Sequence, residues 1–133
     1  ERPLQRLAKV RLDTERRFIP LRVLQTQRHL RGAGAADDDV IEDAGVIVGF
    51  VTTVVDDKTK AGEIGLNAVD PDYQGRGVGK RMYAFALQNL KDRGAVIAYV
   101  GTGADEAHAP ARAAYEAIGF DKAIPSIHYF RKL

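Results

Sequence analysis

Apolar and polar positions along this chain change rhythm several times. Val78, Met82, Phe85, Ala86 and Leu90 follow helical spacing, one face of a helix for which Gly94 is the natural stop. Upstream the pattern is that of strands. Val40-Ile41-Glu42 and the β-branched run Val46 to Val55 flank Asp43-Ala44-Gly45, a connection suited to a hairpin. Asp56 to Lys60 reads as a second turn and Glu63 to Val69 as a third strand, which predicts an antiparallel meander. Downstream, Val96 to Val100 predicts a buried strand and about Pro110 to Ile118 a helix ended by Gly119. Residues 120–131 predict one or two final strands.

The N-terminal part reads differently. Residues 3–16 carry helical periodicity through Leu4, Leu7, Ala8 and Leu12, and residues 20–31 through Leu21, Leu24, Gln25 and Arg28. Pro20 suits a first helical turn. Gly32-Ala33-Gly34 breaks the pattern, and Asp37-Asp38-Asp39 reads as a solvated loop. Strand, helix, strand, helix after a meander predicts an α/β (α+β) fold, a mixed, mostly antiparallel sheet flanked by helices.

Length and composition narrow the chemistry. With 133 residues the expectation is a single domain, 1–133, able to bury its own core. There is no run of 18 apolar residues and no secretory pattern, so a cytoplasmic protein with no membrane partner is expected. The numbering opens on Glu1 without a Met, leaving room for native residues before it. Cysteine is absent, which removes disulfides, thiolate metal sites and a Cys nucleophile. Ser126 is the only serine and no G-x-S-x-G surrounds it. His29, His108 and His128 lack ligand spacing, so no metal is expected.

Charge is uneven. Residues 1–31 hold nine Lys/Arg against three acids, and residues 32–72 hold ten acids against two Lys. A nucleic-acid face would need an aromatic platform or a recognition motif beside those arginines. Neither is present, so solvated helix faces are expected and nucleic acid is not the expected partner.

The segment Val69-Asp70-Pro71-Asp72-Tyr73-Gln74-Gly75-Arg76-Gly77-Val78-Gly79-Lys80-Arg81 carries the strongest chemical signal. Glycines at alternate positions let a backbone approach a ligand closely, and the following helix turns its N–H groups and positive dipole end toward that turn. Arg76, Lys80 and Arg81 add positive charge, which completes a phosphate cradle. A P-loop requires G-x-x-x-x-G-K-[ST], but Gln74 stands at its first glycine and Arg81 at its last position. A dinucleotide fingerprint would place Lys80 at its third glycine, so it fails as well.

The pattern that holds is Q-x-x-G-x-G, on Gln74, Gly77 and Gly79. With it, the chain resembles the GNAT superfamily of acetyl-CoA-dependent N-acetyltransferases, over roughly residues 39 to 133. His108 to Phe120 is similar to the family's N-x-x-A-x-x-x-Y-x-x-x-G-F motif, with His108 where Asn is usual. The first strand of the family fold is not obvious before residue 3, and is expected to be missing or replaced.

The resemblance implies acetyl-CoA as co-substrate and an amine acceptor as partner. It implies a cofactor site of Ala68, Val69, Gln74, Gly75, Arg76, Gly77, Val78, Gly79, Lys80, His108 and Tyr115. The Val69 backbone N–H would face the thioester oxygen as an oxyanion donor. Tyr115 would protonate the departing thiolate, since a phenol of pKa about 10 is neutral at pH 7 and a thiol lies near about 8.5. Glu63 falls where the histone-acetyltransferase branch keeps its general base, with His108 and Glu42 as lesser candidates. Without a cysteine, direct attack by the amine in a ternary complex is expected. Ala33 to Asp39 and Ile124 to His128 are the expected acceptor-selecting loops, and a homodimer stays open. The rival from another class is a catalytically silent acyl-CoA-binding regulatory domain, in which Glu63 and Tyr115 do no chemistry.

Overall fold

The computed structural model describes residues 21–31 and 34–133. Its elements are β1 (Leu21–Arg31), β2 (Gly34–Asp43), β3 (Val46–Asp56), β4 (Ala61–Val69), α1 (Val78–Asp92), β5 (Ile97–Val100) and α2 (Ala109–Ala117). One five-stranded sheet has the order β1-β2-β3-β4-β5, antiparallel through β4, with β5 parallel to β4. The expected mixed, mostly antiparallel architecture is therefore present. Two compact units divide at Gly101, and α2 lies in the second, Thr102–Leu133.

Local chemistry explains the turns. Ala44 and Gly45 both take positive φ, 47° and 89°, as a two-residue hairpin requires. Between β3 and β4, Asp56 Oδ1 accepts the Lys58 and Thr59 N–H groups at 2.7 and 3.1 Å. The Gly94 expected to stop the helix has φ 90°, two residues beyond Asp92. The apolar face of α1 (Val78, Met82, Tyr83, Ala86, Leu90) is buried, and the helix packs on β3 and β4.

The C-terminal end of α1 meets a polar core. Asp37 and Asp39 on β2 and Thr53 on β3 are buried. Asn89 Nδ2 donates to Asp37 Oδ2 and Asp39 Oδ2, each at 3.3 Å. Arg93 Nη1 donates to Thr53 Oγ1 at 2.9 Å and lies 3.3 Å from Asp37 Oδ2. Asp39 Oδ1 has no hydrogen-bond partner among the described residues. Burial, followed by the neighbouring Asp37 charge, raises the Asp39 carboxyl to about 6 against the bonds from Asn89 and the charge of Arg93.

Four expectations need correction. Residues 21–31 form a strand rather than a helix, pairing with β2 from Leu21↔Asp43 to Arg31↔Gly34. Short apolar runs fit either period, and the long ladder offered by β2 decides. The helix expected at 3–16, and any strand before residue 3, lie outside the described residues. Asp37-Asp38-Asp39 is strand, not loop, and Asp37 and Asp39 point under α1 rather than toward an acceptor. β5 is an exposed end strand of the described sheet, with Val96 81% and Ile97 62% accessible. Finally, residues 120–133 form no strand. Ile124, Ile127, Tyr129 and Phe130 are exposed; strand propensity without a ladder partner makes no strand, and Pro125 lacks a donor.

Candidate functional site

Strand β4 is paired on both edges only over its first half. Its parallel partner covers Ala61 to Ile64 and ends at Val100, so the edge from Gly65 to Val69 has no strand partner among the described residues. On the other edge, pairing with β3 continues to Gly49↔Val69 and closes with Asp70 N–H donating to Val48 O at 2.8 Å. Backbone groups alternate between edges along a strand, so the N–H and C=O of Val69 point to the unpaired edge. Its carbonyl is accordingly bonded by Gln74 Nε2 at 3.1 Å, not by β3.

A bulge separates the two halves. Thr53 pairs with Ile64 and Val51 with Asn67, so Gly65 and Leu66 together oppose Thr52. A Cβ on Gly65 would stand 2.6 Å from Thr52 Oγ1, which fixes glycine there. Asn67 holds the bulge, donating to Gly65 O at 3.0 Å and accepting from Tyr83 Oη of α1 at 2.7 Å. Neither Asn67 nor Tyr83 was singled out by the sequence pattern. The signal that could have found them is the glycine inside a strand pattern, which marks a bulge.

The glycine turn is built from its own residues. Asp70 Oδ1 accepts the Asp72 N–H at 2.8 Å and Pro71 occupies the first position of a single 3-10 turn, Pro71–Tyr73. Gly75 and Gly77 take φ of 71° and 78°, conformations costly for any residue with a Cβ. Gly77 then caps α1 with no side-chain bond, and the first turn of the helix carries no acid. Helix geometry leaves the Val78, Gly79 and Lys80 N–H groups without intrahelical acceptors. Lys80 and Arg81 stand in that same turn, where positive charge opposes the helix dipole unless an anion binds. Arg76 is exposed and its guanidinium lies 5.2 Å from the Tyr73 ring centroid, a cation–π contact. Burial lowers the pKa of Arg81 from its ordinary value.

Ala68, Val69 and Gln74 to Lys80 are thus one continuous feature. Glu63 is six residues up β4 from Val69, on the far side of the bulge. It accepts from Tyr99 Oη of β5 at 3.1 Å, opposite it in register. Desolvation first, and the bond to Glu63 second, raise the Tyr99 phenol above its ordinary pKa. Glu42 Oε1 accepts the Gly45 N–H at 3.2 Å and holds the hairpin turn.

In the second unit, His108 Nδ1 is paired with Asp105 Oδ1 at the start of α2. That bond, first, lowers the Asp105 carboxyl below its ordinary range. Arg112 Nη1 donates to the Gly103 and Asp105 carbonyls, both at 2.7 Å, and fixes the same loop. Tyr115 is buried, its ring edge-on to Phe120 with centroids 6.1 Å apart. No group of three His, Cys, Asp or Glu side chains able to hold a metal, and no helix long and apolar enough to cross a membrane, occurs among the described residues.

Known proteins place this geometry in a family context. Residues 7–120 match the Acetyltransferase (GNAT) family. A mycothiol acetyltransferase of Thermomonospora curvata is 37% identical over 87 residues, covering 64% of this chain and 28% of that protein. The [ribosomal protein bS18]-alanine N-acetyltransferase of Salmonella typhimurium is 33% identical over 106 residues, covering 80% of this chain and 64% of that protein. The chain therefore spans little more than a quarter of the first relative and under two thirds of the second. An aminoglycoside N-acetyltransferase solved in complex with CoA shares the fold, with TM-score 0.63, 18% identity, and coverage of 77% of this chain and 79% of that one.

Proposed function

Because the chain belongs to the GNAT acetyltransferase family, we propose that it binds acetyl-CoA and transfers the acetyl group to a primary amine by direct attack in a ternary complex. The observation that carries the reading is the meeting of a strand edge without a strand partner among the described residues and a helix N-terminus without a side-chain cap. The unpaired β4 edge, with the Val69 N–H directed into it, leads straight into the uncapped N-terminus of α1. The first suits an extended amide-bearing arm, the second a pyrophosphate. Gly79 supports the fit. A Cβ there would have no protein atom closer than 3.8 Å, so packing does not demand glycine; close approach of a ligand does.

The chemistry follows from the groups in hand. The amine nitrogen attacks the thioester carbon, the Val69 N–H stabilises the oxyanion, and the carbon–sulfur bond breaks with its electron pair on sulfur. Glu63 takes one ammonium proton before attack and passes it to solvent; Tyr115 delivers its phenolic proton to the thiolate, and the phenolate regains the second nitrogen proton. Six residues of strand span about 20 Å when extended. Glu63 therefore takes its proton through water, from the side by which the amine enters, and does not touch the thioester. Amine acceptors appear in the names of two relatives, an alanine of a ribosomal protein and aminoglycosides.

Thiol release from acetyl-CoA across a panel of small amines and peptides tests the reading. Turnover with at least one amine, and intersecting initial-rate lines when both substrates are varied, are expected; binding of acetyl-CoA without turnover would favour a silent regulatory domain. Tyr115→Phe and Glu63→Gln should each lower kcat by about 10²-fold. Full activity in both would remove these residues from the reaction while leaving the cofactor site standing.

A further inference from the structure

We infer that Tyr99 is the positioning residue for the general base Glu63, holding one carboxylate oxygen so that the other is presented to the chain of waters that carries the amine proton. This rests on the proposed role of Glu63. The geometry is local and specific. Glu63 and Tyr99 stand directly opposite one another in the parallel pairing of β4 with β5, so their side chains share a face. The phenol donates to Oε2 at 3.1 Å, which leaves Oε1 as the acceptor.

That face is the one away from α1. Gly62, next to Glu63, would bring a Cβ to 2.9 Å from Leu90 of α1, so Gly62 faces the helix and Glu63 does not. The bulge at Gly65–Leu66 shifts the alternation, so Leu66 and Ala68 join Glu63 on its face while Asn67 reaches Tyr83 of α1. Leu66 is 73% accessible and Tyr99 50%, so the surface around the carboxylate is open to an incoming amine. An exposed glutamate without a partner samples many rotamers, and a base that must address one water gains from losing that freedom. The shift in the Tyr99 phenol keeps it neutral, and hence a donor, across the pH range in which an amine acetyltransferase works. Among the described residues, the charges that act on Tyr99 are Glu63 on β4 and Asp56 at the end of β3, both in the same direction.

The decisive experiment is a double-mutant cycle on the full chain with Tyr99→Phe and Glu63→Gln, reading kcat and the KM for acetyl-CoA. Tyr99→Phe keeps the ring and its packing. It should lower kcat about fivefold and leave the KM for acetyl-CoA unchanged, the split expected of a residue that orients the base and does not hold the cofactor. In the residual activity of Glu63→Gln, adding Tyr99→Phe should change nothing further. An unchanged rate in Tyr99→Phe, with Glu63→Gln still impaired, would overturn the positioning role alone. The same loss in both backgrounds would assign Tyr99 a structural part and overturn it too. Full activity of Glu63→Gln would overturn the base and its positioning together.

Discussion

At its C-terminal end α1 is held by side chains. Asn89 and Arg93 reach from the end of the helix into the sheet, Asn89 donating to Asp37 and Asp39 and Arg93 pairing with Asp37 and Thr53. At its N-terminal end no side chain caps it, two cations stand where the dipole disfavours them, and two glycines take left-handed conformations. One helix therefore has an end engaged by the protein's own side chains and an end without a side-chain cap. On the proposed reading the first residue set governs stability and the second ligand affinity, and substitutions at the two ends should fall cleanly into those classes.

The largest effect is expected at the C-terminal end of α1. Arg93→Met removes the cation 3.3 Å from the buried Asp37 carboxylate, which should destabilise the fold by about 3 kcal/mol. Urea denaturation measures this. At temperatures where the variant remains folded, its KM for acetyl-CoA should stay within about twofold of the parent. A large change in KM with little change in stability would reverse the assignment of the two ends.

The opposite signature is expected at Gly79. Ala fits there without a contact under 3.8 Å and suits a helical position better than glycine, so stability should hold or rise by about 0.5 kcal/mol. The added methyl stands where the pyrophosphate would approach, and the KM for acetyl-CoA should rise about tenfold, equivalent to about 1.4 kcal/mol. A variant with unchanged KM would show that the backbone at this turn does not contact the cofactor.

The same contrast explains what was readable beforehand. The glycine turn, the hairpin at Ala44-Gly45 and the helix from Val78 are written in adjacent residues, each with its own local stereochemistry, and all three are where the sequence places them. The polar core under the far end of α1 joins Asp37 to Asn89 and Arg93 across some fifty positions. A triple aspartate viewed alone carries no sign of those partners, so it reads as a solvated loop. Residues 21–31 fail for a related reason, since only the β2 ladder distinguishes strand from helix there. The bulge at Gly65–Leu66 and the Tyr99 bond to Glu63 depend on register, which composition does not report.

Asp39 gives the C-terminal end of α1 a pH signature of moderate size. Its carboxyl titrates at about 6 in the fold against 3.8 ordinarily, so between about pH 4 and 6 the folded chain keeps a proton that the unfolded chain has lost. Stability should therefore fall as pH rises through that window and stay at the lower level above it. Asp39→Asn removes the charge and with it the slope. Its melting temperature should exceed that of the parent by about 3 °C at pH 7.5, with the gap shrinking at pH 4.5. A gap that grows toward acid pH would mean the carboxylate is stabilised as an anion.

The smallest expected effect belongs to Arg76, at the open end. Its guanidinium is exposed and stacked over Tyr73, so it adds a positive charge held beside the turn, while on the proposed reading the backbone N–H groups supply the directed contacts. Arg76→Ala removes a surface contact worth about 0.5 kcal/mol and should scarcely move the melting temperature. The KM for acetyl-CoA should rise two- to threefold at low ionic strength, about 0.5 kcal/mol. That difference should vanish near 1 M salt, where the screening length falls to about 3 Å. Tyr73→Leu should reproduce part of the rise by freeing the arginine, because an unheld charge is a weaker partner for a fixed phosphate. If the Arg76→Ala effect persisted undiminished in high salt, the guanidinium would be a directed phosphate ligand, and the open end of α1 would bind through side chains as well as backbone.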